Sequence, residues 1–206
     1  MPEVRKTGVY YNEFEPQAAA WLRELMKDRL IPHGDVDERS ITEVQASDLT
    51  GYAQCHFFAG IGGWSIALRL AGWPDDMEVA TGSAPCQPFS SAGKQLGVAD
   101  ERHLWPVFYD LIRELRPRVC FGEQVASAAT IGSVAAAGRK ARAKDASAAE
   151  PAWIDAVFAD LERAHYACGA SAVPACGVGA PHIRQRLWWV AERGSDGLAD
   201  THAERR

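Results

Sequence analysis

Cysteine is scarce in this sequence and never paired in pattern. Five cysteines lie scattered through 206 residues with no C-x-x-C, so neither a disulfide framework nor a metal site of the zinc type is expected. No apolar run approaches the roughly 20 residues of a membrane span, and the N-terminus lacks the basic, apolar and small-residue order of a secretory signal. A cytoplasmic protein without membrane contact is the expectation. Basic residues are outnumbered, 22 against 27 acidic, for a net charge of -5, which runs against the basic footprint of a general nucleic-acid binder. Part of the positive charge is clustered, at Arg113, Arg116 and Arg118, at Arg139, Lys140, Arg142 and Lys144, and at Arg184 and Arg186. Apolar residues are not scarce: the chain is 47% hydrophobic, enough for one sizeable core, and a single domain over 1–206 is expected.

Hydrophobic periodicity alternates between short strands and helices. Gly8 to Phe14 is aromatic and β-branched, and from Pro16 the residues Ala19, Leu22, Leu25 and Met26 recur at helical spacing. A short strand and turn fall within 31–44. Gln54 to Ala59 then runs as a strand into Gly60-Ile61-Gly62-Gly63 and a helix over 64–71. The next strand is expected at 78–83, followed by a loop, a helix over 103–115 and a strand from Arg118 that ends at Glu123. Residues 126–150 are rich in alanine, serine, glycine and lysine, and read as a flexible loop. A helix over 153–164 and a last strand at 186–191 complete an α/β pattern with a mainly parallel, Rossmann-like sheet.

Two segments carry chemistry. The turn Phe58-Ala59-Gly60-Ile61-Gly62-Gly63 lets backbone approach a ligand at a helix N-terminus, although glycines of this kind also serve close packing. Pro85-Cys86-Gln87-Pro88 places a cysteine in a loop after a parallel strand, where open α/β sheets build their sites and where nearby N–H groups or cations favour thiolate.

With Phe58 to Gly63, Pro85 to Ser90, the Asp100, Arg102 and Leu104 set, Glu123-Gln124-Val125, and Gly179-Ala-Pro-His-x-Arg184-x-Arg186 in order, the chain resembles the catalytic domain of DNA cytosine-5 methyltransferases. In that family the ribose- and adenine-contacting strands lie between the glycine turn and the Pro-Cys loop. The interval from Gly63 to Pro85 has no room for them. Asn12-Glu13-Phe14 resembles the ribose and adenine segment, and Gly34-Asp35-Val36-Asp37 the adenine-contacting turn, so the resemblance implies a circular permutation. It divides the domain into a permuted cofactor segment (1–50), the glycine turn and catalytic loop (51–125), the loop (126–150) and the remainder of the sheet (151–206).

The resemblance implies S-adenosylmethionine as cofactor, held by Glu13 at the ribose, Phe14 on the adenine, Asp35 or Asp37 at its amino group, and Phe58, Ala59, Gly60, Ile61, Gly62, Gly63, Pro85 and Leu104 around it. It implies Cys86 as the nucleophile adding to position 6 of cytosine, Glu123 as the acid at ring nitrogen 3, and Arg184 and Arg186 holding the base oxygen and a phosphate. DNA is the implied partner, with the base flipped from a duplex or taken from a single strand. Three features depart from the family: Gln124 stands where asparagine is usual, His182 where glutamine is usual, and no target-recognition domain is evident after Arg186. These leave room for a cofactor-binding subunit that needs a separate recognition protein, or for a methyltransferase of RNA or a small cytosine compound.

Overall fold

The computed structural model describes residues 7–84, 104–126 and 153–194. Strand β1, Val9–Asn12, consists of β-branched, aromatic and amide residues, all buried, as a strand covered on both faces requires. Helix α1, Pro16–Lys27, starts where Pro16 presets the first turn and the Glu15 carboxylate accepts from the Ala18 N–H at 2.7 Å. It buries Ala19, Leu22, Leu25 and Met26 against the Tyr11 face of the sheet. Each of the two leucines contributes about 2 kcal/mol by burial. The helix stops as Arg29 turns left-handed, at φ 59°.

The remaining elements are β2 (Asp35–Asp37), two 3-10 turns (Ile41–Glu43 and Ala46–Leu49), β3 (Gln54–Phe57), α2 (Gly63–Leu70), β4 (Val79–Gly82), α3 (Trp105–Leu115), β5 (Val119–Val125), α4 (Trp153–Arg163), β6 (Tyr166–Pro174) and β7 (Gln185–Arg193). One seven-stranded sheet runs in the order β2-β1-β3-β4-β5-β7-β6. The first five strands are parallel, and β7 is antiparallel to both β5 and β6. On one face α3 and α4 pack a core of Phe57, Trp105, Phe108, Trp153 and Trp189, with the Trp105 ring 5.9 to 6.0 Å from those of Phe108, Trp153 and Trp189. The opposite face holds the smaller core beneath α1. At Gly122 a Cβ would lie 2.2 Å from the Trp189 indole, so only glycine fits there.

Two expectations are corrected. Strand β6 was not anticipated, because its sequence of alanine, glycine, serine and one cysteine between Tyr166 and Val173 has too little alternation to register as a strand. Its nine pairs with β7 create it. Strand β5 does not end at Glu123 but runs on to Val125, because the antiparallel ladder with β7 continues through Gln124↔Leu187 and Val125↔Arg186.

Candidate active site at the carboxyl edge of the sheet

Parallel strands deliver their carboxyl ends to one edge, and there β1, β2 and β3 meet. The chain leaving β3 turns left-handed at Phe58 (φ 51°), Gly60 (φ 56°) and Gly62 (φ 80°) before α2 begins at the exposed Gly63. Side chains rarely adopt such angles, which is why glycine recurs. The turn is locked from two sides. Ala59, buried, donates its N–H to the Asn12 carbonyl at 3.0 Å, and the Glu13 carboxylate accepts from the Gly60 N–H at 2.6 Å and from the Glu15 N–H at 2.9 Å. Phe14 and Ile61, each 70% exposed, leave two large apolar side chains in solvent beside it. A half-buried carboxylate, backbone N–H groups at a helix start and exposed apolar surface together suit an adenosine: diol, sugar edge and planar base.

The two candidate aspartates stand at different heights. Asp37 closes β2 opposite Asn12, whereas Asp35 is paired with Tyr10, two residues further from the edge. Asp35 accepts from the Tyr52 hydroxyl at 2.5 Å. Asp37 accepts from the Tyr10 hydroxyl at 2.8 Å and from Arg39 through its backbone N–H, Nε and Nη2 at 2.7 to 3.1 Å. That set, led by Arg39, holds the Asp37 carboxyl down to about 2. Arg39, a residue the sequence did not single out, thus occupies much of the Asp37 carboxylate.

Along β5 and β7 the site is made by side chains. Glu123 and Trp188 are cross-strand partners on one face, and the Arg186 guanidinium Nε reaches the Glu123 carboxylate at 2.6 Å. Burial nevertheless raises the Glu123 carboxyl above the ordinary glutamate range, outweighing the lowering by Arg186 and Arg184. Glu123, Arg184, Arg186 and Trp188 line a cavity of about 500 Å³ with Val173, Pro174, Ala175 and Val178. Trp188 leans edge-on against Trp64 at 5.3 Å, and Trp64 stacks on Phe121 at 5.8 Å. This aromatic wall was not recognised in the sequence, where Trp188-Trp189 read only as part of the last strand. The alternation itself was the available signal, since Trp189 is buried and Trp188 is exposed.

Gln124 is buried on the opposite face and donates through Nε2 to the Ala84 carbonyl at 3.3 Å, while its Oε1 accepts from the Val125 N–H at 3.0 Å. The longer side chain thus reaches the start of the Pro-Cys segment. Pro85 and Cys86 lie outside the described residues, as do Asp100, Arg102 and the basic stretch 139–144. Leu104 precedes α3 and packs partly on the larger core. The Arg113, Arg116 and Arg118 cluster sits at the far end of β5, where the Arg193 N–H donates to the Arg118 carbonyl, away from the cavity. Among the described residues no helix is long and apolar enough to cross a membrane.

The architecture is that of a Rossmann-like methyltransferase sheet. The crystal structure of a Spodoptera frugiperda DNMT2 mutant superposes with a TM-score of 0.50 at 13% identity, covering 97% of this chain and 54% of that one, a likeness of fold alone. The model for C-5 cytosine-specific DNA methylases matches residues 72–204, and the chain belongs to that family. It is 31% identical over 126 residues to the type II methyltransferase M.AplI of Arthrospira platensis, covering 61% of this chain and 30% of the relative. With M.NgoMIV of Neisseria gonorrhoeae it shares 45% over 51 residues, covering 25% of this chain and 16% of the relative. The chain therefore spans less than a third of either relative's length.

Proposed function

We propose that this chain is the catalytic part of a DNA (cytosine-5)-methyltransferase. The observation that carries the reading is the juxtaposition along β5: Glu123, raised in pKa and held by Arg186, sits beside Gln124, whose amide reaches Ala84, two residues before Cys86. Cys86 as thiolate adds to position 6 of the target cytosine. Glu123, whose carboxyl burial pushes up from the ordinary glutamate range, delivers a proton to ring nitrogen 3 so that position 5 gains nucleophilic character. Arg186 holds Glu123 in place and, with Arg184, presents fixed charged donors to the base oxygen and a phosphate.

The adenosine end of S-adenosylmethionine fits the other half of the edge. Glu13 would take the ribose hydroxyls, Phe14 and Ile61 would cover the adenine, Asp37 rather than Asp35 would face its amino group, and the turn from Phe58 to Gly63 would line the rest, with Pro85 and Leu104 nearby. When bound, this cofactor supplies an electrophilic methyl group. The circular permutation is supported by the sheet order, in which β1 and β2 lie beyond β3 on the side away from β4, and by a family match that begins after the glycine turn.

A net charge of -5 favours a separate target-recognition protein that contributes phosphate contacts. The test is covalent trapping: the chain is incubated with S-adenosylmethionine and DNA, RNA or nucleotide containing 5-fluorocytosine. A denaturation-resistant adduct on Cys86 with DNA supports the reading; an adduct with RNA or nucleotide alone reassigns the substrate, and none with any of them, with or without added partner, refutes the mechanism.

A further inference from the structure

Asn12, the last residue of β1, is only 3% exposed. A carboxamide buried that deeply needs partners, and its donors point across to the chain leaving β2. Nδ2 donates to the Arg39 carbonyl at 2.8 Å and to the Asp37 carbonyl at 3.3 Å. Its backbone ties in two further places: the Asn12 carbonyl accepts from Ala59 of the glycine turn at 3.0 Å, and the adjoining Glu13 N–H donates to the Asp37 carbonyl at 3.0 Å. One residue thus joins the Glu13 segment, the Asp37–Arg39 turn and the glycine turn.

The turn needs such a clamp. Strand β2 is three residues long and, among the described residues, lies at the sheet's edge with β1 as its sole strand partner. Beyond Asp37 the ladder stops, and the ion pairs of Arg39 with Asp37 and Asp48 are partly solvated and weak as anchors. We infer that Asn12 is a positioning residue for the adenosine end of the cofactor, fixing the spacing between Glu13 and the Asp37–Arg39 turn without entering the ligand's own contacts. The inference rests on the cofactor reading proposed above. Its signature is loss of cofactor affinity with turnover at saturating cofactor preserved, because Asn12 is remote from the Glu123 and Arg186 chemistry in the sheet order.

Calorimetric titration with S-adenosylhomocysteine compares wild type, Asn12→Ala and Gln54→Ala. Gln54 is an equally buried carboxamide at the amino end of β3, donating to the Pro74 carbonyl at 3.0 Å, and serves as the control for general destabilisation. Asn12→Ala is expected to weaken binding about tenfold or more, as loss of a buried hydrogen bond implies, and Gln54→Ala to leave it within about twofold. In methyl transfer, Asn12→Ala should raise KM for the cofactor and leave kcat unchanged. Unaltered affinity in Asn12→Ala, or an equal loss in Gln54→Ala, overturns the assignment. No binding by wild type removes the cofactor reading itself and this inference with it. If Asn12→Ala does not fold, Asn12→Ser, whose shorter side chain cannot span both carbonyls, is held to the same criteria.

Discussion

Along β1, β2 and β3 the carboxyl edge is built largely from backbone: the N–H groups of Ala59, Gly60 and Glu13 and the carbonyls of Asn12, Asp37 and Arg39 set the geometry, and Glu13 closes it. Along β5 and β7 the edge is built from side chains on alternating positions, with Glu123, Arg186 and Trp188 on one face and Gln124 on the other. The contrast follows from strand direction. Parallel strands bring turns distant in sequence together at their ends, so contacts there fall to main chain. Antiparallel strands place side chains opposite one another, so the Glu123 and Arg186 charges meet half-buried. The first half should govern binding and the second rate.

The largest effect that separates the halves is expected at Glu123. Glu123→Gln should lower kcat about 100- to 10,000-fold, the range for a general acid, with cofactor affinity unchanged by titration. In wild type, transfer should fall as pH rises through the elevated Glu123 pKa, because the protonated form delivers the proton; in Glu123→Gln that limb should flatten. A large change in cofactor affinity would blur the division.

Next in size is Glu13→Ala, which should weaken S-adenosylhomocysteine binding about 10- to 100-fold, as for a charged hydrogen bond, while turnover at saturating cofactor stays close to wild type. Asp37→Asn should weaken it less, and Asp35→Asn hardly at all. Equal effects of the two aspartate changes would show that height along β2 does not matter.

The smallest effect concerns stability. His56 is buried between Thr81 at 2.8 Å and Gln54 at 3.3 Å and stacks on Tyr11, and burial pushes its pKa down to about 3. The unfolded chain, with an ordinary value of 6.5, binds that proton more readily. His56 therefore contributes stability that is present above about pH 6.5 and lost as pH falls toward 3, with a limiting slope of about 1.4 kcal/mol per pH unit. Urea midpoints between pH 7 and 4 should show this dependence, and His56→Gln should reduce it.

Much of this organisation is legible in the sequence. The α1 pattern of Ala19, Leu22, Leu25 and Met26, and the strand, glycine turn and helix around Gly60, are local signals and are present where expected. Strand β6 was illegible because its identity comes from pairing with β7 rather than from its own small residues. The position of Glu13 could be suspected from its neighbours, but its bond to Gly60, 47 residues away, is a product of sheet order. Arg39 was invisible for the same reason: nothing in Asp37-Glu-Arg shows that the guanidinium folds back on the carboxylate and takes its lone pairs.

Cys86-dependent methylation is tested by transfer of a labelled methyl group from S-adenosylmethionine to mixed-sequence DNA, single- and double-stranded, by wild type and Cys86→Ala. Label in cytosine is expected with wild type and a loss of more than about 1,000-fold with Cys86→Ala, while both proteins bind S-adenosylhomocysteine equally. Label that persists in Cys86→Ala, or wild type that binds cofactor yet labels no DNA even with a recognition partner present, would contradict it.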